Sequence, residues 1–248
     1  MKKRCKFLLA GAAAFGLVSL VNRAIFAFHG MRGAEARNGL RAFKTRFGDM
    51  RYAVVGLGKP MLLIHGLEPD SCSREWESQA ARLSERFRVY SVDLLGFGYS
   101  DKPRTTYNAY LYSRLINDFI GRVVKEKVRA AARGGSCAFL AAACVFEPDN
   151  FNKLILVSPD FGTRPPAKIN RARKAFFESA VLGTAAYILS VFKKRAKPCA
   201  YMGGRGAVYS SSARVFGFMD ADAGRLLSRV RVPVKIINQN NGRVHNVR

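Results

Sequence analysis

Histidine is scarce: His29, His65 and His245 are the only three imidazoles in 248 residues. Acid is scarce too, with 17 Asp and Glu against 42 Lys and Arg, a formal net charge of +25. That imbalance suits nucleic acid, an anionic membrane or a generally basic background. The basic residues are scattered through the chain, without the compact run or aromatic interleaving of a nucleic-acid groove, so no nucleic-acid partner is expected. The five cysteines (Cys5, Cys72, Cys137, Cys144, Cys199) are odd in number, widely spaced and free of C-x-x-C pairs. They imply neither a disulfide framework nor a zinc site, and no metal or cofactor is expected. Cys144, in an alanine-rich stretch, reads as a small buried residue.

Half of the residues are apolar, which excludes a disordered chain, and the length suits one α/β domain with a substantial core. Residues 1–28 open with Lys2, Lys3, Arg4 and Lys6, run apolar from Phe7 to Val21 and, past Asn22 and Arg23, continue to Phe28. Spanning a bilayer takes about 20 residues, reached here by crossing Asn22 and Arg23. No small-x-small cleavage site follows. The segment is therefore read as an uncleaved anchor rather than a signal peptide or an interfacial helix. Its basic front would stay cytoplasmic and leave the domain on the extracytoplasmic side. Residues 29–39 are polar and small and read as a linker.

From Leu40 the pattern becomes β-like, Arg41 to Phe47 and Arg51 to Val55 alternating around a turn at Gly48-Asp49. Met61 to Ile64 is a short unbroken apolar run, as in a strand covered on both faces, and ends at His65-Gly66. A helix near Trp76, Ala80 and Leu83 precedes the strand Arg88 to Val92, a glycine-rich loop and an amphipathic helix from Tyr107 to Val124. Val128 then begins a strand that ends in Gly134-Gly135-Ser136-Cys137-Ala138, and an alanine-rich helix runs from Phe139 to Phe146. Lys153 to Val157 is the next strand. Such alternation implies parallel strands joined by right-handed crossovers. A serine on a sharp strand-to-helix corner needs small flanking residues, and Gly134 and Ala138 sit two positions either side of Ser136. Arg129 and Arg133 inside that strand would bury unpaired charge and point to relaxed constraint.

Three motifs in this order, His65-Gly66, Asp93-x-x-Gly-x-Gly-x-Ser-x-x-Pro103 and the corner at Ser136, make the chain resemble the α/β-hydrolase fold family. The likeness covers residues 41 to 160, with Arg231 to Ile237 as a later strand, and is nearest to membrane-anchored bacterial hydrolases. It implies a mostly parallel sheet with flanking helices: residues 40–160 and 229–248 as the core, and residues 161–228 as a helical cap. It also implies Ser136 as nucleophile, the amides of Leu67 and Cys137 as oxyanion donors, and His65 as a residue that shapes its turn. Asp160 would be the acid. The substrate would be a small acyl compound such as an ester, and Ser136 argues against the dehalogenase and epoxide-hydrolase branches. Phe176 to Phe192, apolar nearly all round and flanked by basic residues, falls in the cap and suits a core helix, a lid or contact with lipid.

After Ile237 the family expects an acid, a last strand and a histidine-bearing loop. The remaining residues to Arg248 hold no carboxylate, and His245 lies on a polar end expected to fray. The core is thus read as truncated, its last strand and helix missing, and activity as weak or absent for want of a base. The alternative is a catalytically dead binding or scaffold module at the membrane. Nothing in the residues fixes an oligomeric state.

Overall fold

The computed structural model describes residues 2–160, 171–193, 206–215, 219, 221–238 and 244–246. One eight-stranded sheet organises them, in the order β1-β2-β4-β3-β5-β6-β7-β8. The strands are β1 (Arg41–Thr45), β2 (Gly48–Val55), β3 (Lys59–Ile64), β4 (Phe87–Val92), β5 (Val128–Arg133), β6 (Phe151–Val157), β7 (Val234–Ile237) and β8 (Val244–Asn246). β3 through β7 pair in parallel, while β1, β2 and β8 are antiparallel. The α/β-hydrolase architecture expected from the motifs is the one present.

Burial explains the central strands. Leu62, Leu63 and Ile64 in β3 are almost fully buried although their side chains alternate between faces, because helices cover both sides. On one face α3 (Ala109–Phe119) and α4 (Ser136–Phe146) pack over the sheet, with Phe119, Tyr112 and Phe139 among the largest buried side chains. On the other, α2 (Glu77–Leu83) and Trp76 cover Met61, Leu63, Val89 and Ala131. Asn108 caps α3 by accepting the Leu111 amide at 2.8 Å, and its last residues relax into a π turn, Ile120–Val124.

Several local expectations shift. The hairpin turn lies at Arg46-Phe47, because Thr45 pairs with Gly48. Gly48 opens β2 with φ +133°, and the Asp49 amide donates to the Asp101 carboxylate at 2.9 Å, a tertiary contact that sets the register. Residues 29–39, read as a linker, are mostly helical: α1 runs unbroken from Lys2 to Asn38, as its Ala and Arg content and lack of proline allow. The Phe176 to Phe192 stretch divides into α5 (Arg171–Phe177) and α6 (Leu182–Lys193), bent 70° apart. In the break between them Ser179 accepts the Gly183 amide at 2.8 Å. The tail pairs antiparallel with β7 as β8 instead of fraying, His245 standing opposite Ile236. Arg129 is exposed, with its guanidinium 5.3 Å from the Phe87 ring centroid, and Arg133 is half-buried at a strand end, so neither is a charge locked in the core. The helices α5, α6 and α7 (Gly206–Val215) form an insertion between β6 and β7, followed by α8 (Ala223–Leu227).

Candidate active-site cleft

Where parallel strands end, their loops enclose the space available to a ligand. Here the loops after β3, β5 and β6 surround a cleft of about 440 Å³, lined by Gly66 and Leu67, by Arg133, Gly134, Gly135 and Ala138, and by Asp160. Arg214, Met219 and Ala221 reach it from the insertion.

The first wall is built by His65. Its ring is fully buried, Nε2 receiving the Leu94 amide at 2.9 Å. An amide only donates, so the proton sits on Nδ1, which donates to the Gly66 carbonyl at 2.6 Å. Both nitrogens serve the backbone, and the ring is a brace between two loops. Glu75 fixes the same turn by accepting the Gly66 amide at 3.1 Å.

The glycine-rich loop is a second brace. The buried Asp93 carboxylate accepts the Ser73 amide at 2.5 Å and the Tyr99 amide at 2.7 Å. Ser100 donates to the Asp93 carbonyl at 2.6 Å and receives the Arg51 amide at 2.7 Å. Gly98 has φ +49°, and a Cβ there would lie 2.4 Å from Asp93 Cγ, which is why the motif needs glycine at that position. Every polar residue of this motif is thereby assigned to holding the loop.

The third wall is the corner after β5. The residue with a left-handed backbone there is Gly134, φ +58°; it lies on the cleft, and a Cβ on it would meet nothing within 4 Å. Ser136, two residues on, is the first residue of α4, fully buried, absent from the cleft wall and without a hydrogen-bond partner for Oγ. The Cys137 amide donates to the Gly134 carbonyl at 3.2 Å, and burial pushes the Cys137 thiol up to about 12. The amide one past the corner belongs to Gly135. Neither it nor the Leu67 amide makes a hydrogen bond among the described residues. A Cβ on Gly135 would sit 2.7 Å from Leu67 Cδ1, so the two loops meet at this point and a side chain there would have to push the Leu67 side chain aside.

Two unengaged N–H groups on residues that line one cleft are suited to a carbonyl oxygen that gains negative charge. Asp160 lies on the same cleft, as do Glu68, Asp70 and Glu75, an acidic cluster that composition does not signal in so basic a chain. The insertion is tied down by a salt bridge from Arg214 to Glu68 and by Ser210, which donates to the Gly96 carbonyl at 2.8 Å. Among the described residues the one hydroxyl on the wall is Ser71, which accepts the Glu68 amide at 3.1 Å. No imidazole lines the cleft among the described residues, and no three side chains there gather to hold a metal ion. Sequence reasoning had no signal for Arg214, which arrives from 146 residues beyond its partner.

Comparison with known proteins agrees with this geometry. A family model described as "alpha/beta hydrolase fold" matches residues 59–199. An uncharacterised protein of Mycobacterium tuberculosis is 37% identical over 119 residues, 47% of this chain and 34% of its own length. A soluble epoxide hydrolase of a Corynebacterium strain is 34% identical over 95 residues, 38% of this chain and 32% of its own. The chain thus spans about a third of the length of these relatives. Among solved structures, a bacterial membrane phospholipase A covers 96% of this chain and 82% of its own at a TM-score of 0.59 and 19% identity. The enol-lactonase of Burkholderia xenovorans covers 80% of each at 0.63 and 14% identity. Sheet order, the braced loops and a family match over more than half of the sequence lead to one conclusion: the chain belongs to the α/β-hydrolase fold family.

Proposed function

We propose that the chain binds a small acyl compound, an ester or a similar carbonyl, in the cleft, and that its own residues hydrolyse it slowly or not at all. The observation that carries this reading is the corner: the left-handed residue on the cleft is Gly134, and the nearby hydroxyl of Ser136 is sealed in the first turn of α4. A nucleophile must meet its substrate, and in this family it does so from a strained corner at the top of the sheet. The Leu67 and Gly135 amides would hold the carbonyl oxygen, Asp160 stays the acid candidate, and α5 to α7 act as the cap. Loss of a triad member removes roughly 10⁴ to 10⁶ in rate, so residual turnover would be close to background.

The test is a fluorophosphonate probe followed by peptide mass spectrometry, with p-nitrophenyl butyrate as a turnover substrate. No adduct on Ser136 and the same slow turnover in Ser136→Ala support the reading. A stoichiometric adduct on Ser136, abolished by that substitution, would return the nucleophile to Ser136.

The same proposal includes α1 as an uncleaved anchor, basic end cytoplasmic and the domain beyond the membrane. Gly11–Phe28 is long and apolar enough to cross a bilayer. The middle of α1 is also built into the domain: Asn22 is buried and donates to the Val181 carbonyl at 3.2 Å, and Ile25 and Phe26 pack on the cluster that holds Tyr187, Ile188 and Val191. Cleavage after the apolar run would strip those residues of their cover.

A further inference from the structure

α6 is apolar on two opposite faces. One face, Thr184, Tyr187, Ile188 and Val191, is buried, with its apolar members packed against Ala207 and Val208 of α7 and against Ile25 and Phe26 of α1. The other carries Leu182, Leu189 and Phe192, spaced by seven and three residues so that they share a stripe, and they are 47%, 62% and 51% exposed. A helix on the outside of a water-soluble domain keeps its outer face polar. The only charge on the outer face is Lys193 at the carboxyl end. Phe176, at the end of α5, is half exposed beside it, and Arg171 and Arg173 are exposed along the same helix.

The depth of α6 follows from the contact of its buried face with α1. If Gly11–Phe28 spans a bilayer, Asn22 lies about 9 Å inside the end of the span and Ile25 and Phe26 about 3–5 Å, at 1.5 Å per residue. Packed helices lie about 8–10 Å apart axis to axis. A helix that packs on Ile25 and Phe26, and whose preceding residue Val181 accepts from Asn22, therefore cannot stand clear of the membrane. It lies at the boundary of headgroups and acyl chains, the depth at which surface helices bury about 5–10 Å. We propose that the outer stripe of α6, with Phe176, is inserted in the interfacial layer of an anionic phospholipid bilayer, a second membrane contact that rests on the anchor reading of α1. The net charge of +25 and the exposed basic residues of α5 and of the end of α6 match anionic headgroups. The consequence for the cleft is direct, because α7 packs on α6 and carries Arg214 on the cleft wall.

Brominated-lipid quenching of introduced tryptophans tests this on the full chain reconstituted in vesicles of phosphatidylglycerol and phosphatidylcholine. Phe15→Trp reports α1, Leu189→Trp and Phe192→Trp report α6, and Leu57→Trp, on the exposed β2–β3 turn, reports bulk water. Signals are read against the parent, whose single tryptophan, Trp76, is buried. The expected result is loss of most emission for Phe15→Trp, Leu189→Trp and Phe192→Trp, and none for Leu57→Trp. Quenching of Phe15→Trp without quenching of the α6 variants overturns the interfacial stripe and leaves the anchor standing. Absence of quenching at Phe15→Trp removes the anchor and the stripe with it. Equal quenching of the α6 variants in vesicles of phosphatidylcholine alone refutes the anionic preference.

Discussion

Replacing either Gly134 or Ser136 by cysteine decides which of the two stands at the corner, because a thiol reports its own access. At Gly134 the added Cβ meets nothing within 4 Å, so the cost of Gly134→Cys is the left-handed backbone alone, about 1–2 kcal/mol. That amounts to about 2–8 °C in Tm for a domain of this size, and a melting curve confirms that the variant folds. An accessible thiol has a pKa near 8.5, lower still beside a helix amino end, whereas burial pushes the Cys137 thiol up to about 12. The thiolate fractions at neutral pH then differ by about three thousandfold, and the weaker nucleophilicity of the less basic thiolate returns a factor of about 40. Ionisation alone leaves a rate ratio of about 10² in favour of the thiol in Gly134→Cys, with access adding to it. Iodoacetamide alkylation read peptide by peptide should therefore give a fast adduct in Gly134→Cys. In Ser136→Cys the new thiol should react as slowly as Cys137 and Cys144. Faster alkylation of the introduced thiol in Ser136→Cys than in Gly134→Cys would refute the corner assignment and the function built on it.

Two predictions concern stability. Gly98→Ala drives a Cβ into the Asp93 carboxylate and should break its bonds to the Ser73 and Tyr99 amides, costing about 3–6 kcal/mol in urea unfolding. A loss under about 1 kcal/mol would show that the loop tolerates the shift. The Cys137 thiol is held protonated in the fold by burial, so its contribution is present below the unfolded thiol's pKa and lost as pH rises toward about 12. Between pH 9 and 10 the parent should lose stability more steeply than Cys137→Ala, by about 1 kcal/mol, in pH-dependent urea titrations. Parallel pH profiles would remove the thiol as the cause.

The sheet was legible because its signals are local. Met61 to Ile64 is a short apolar run bounded by turn residues, the pattern of a strand covered on both faces. The loop motif from Asp93 to Pro103 needs glycine where φ is positive, and the structure fills each motif position with a backbone contact. The turn at Arg46-Phe47 was not legible, since Asp101, 52 residues from its partner Asp49, helps to set the register of β2. The break between α5 and α6 holds a serine hydroxyl whose bond to the Gly183 amide no periodicity announces.

The amino-acid sequence by itself determined that a parallel sheet would end in a small-residue corner, because only small side chains fit where a strand reverses into a helix. It did not determine which residue takes that corner. Ala132-x-Gly134-x-Ser136 and Gly134-x-Ser136-x-Ala138 satisfy the same spacing, and chemical interest in a hydroxyl favours the second. Tertiary structure decided for the first: β5 pairs with β6 as far as Arg133 and Val157, the chain must turn at the next residue, and that residue is Gly134. Helix α4 then starts at Ser136 and closes over its oxygen, since the register of a sheet is set by its neighbours and not by the chemistry of the residue beyond its end.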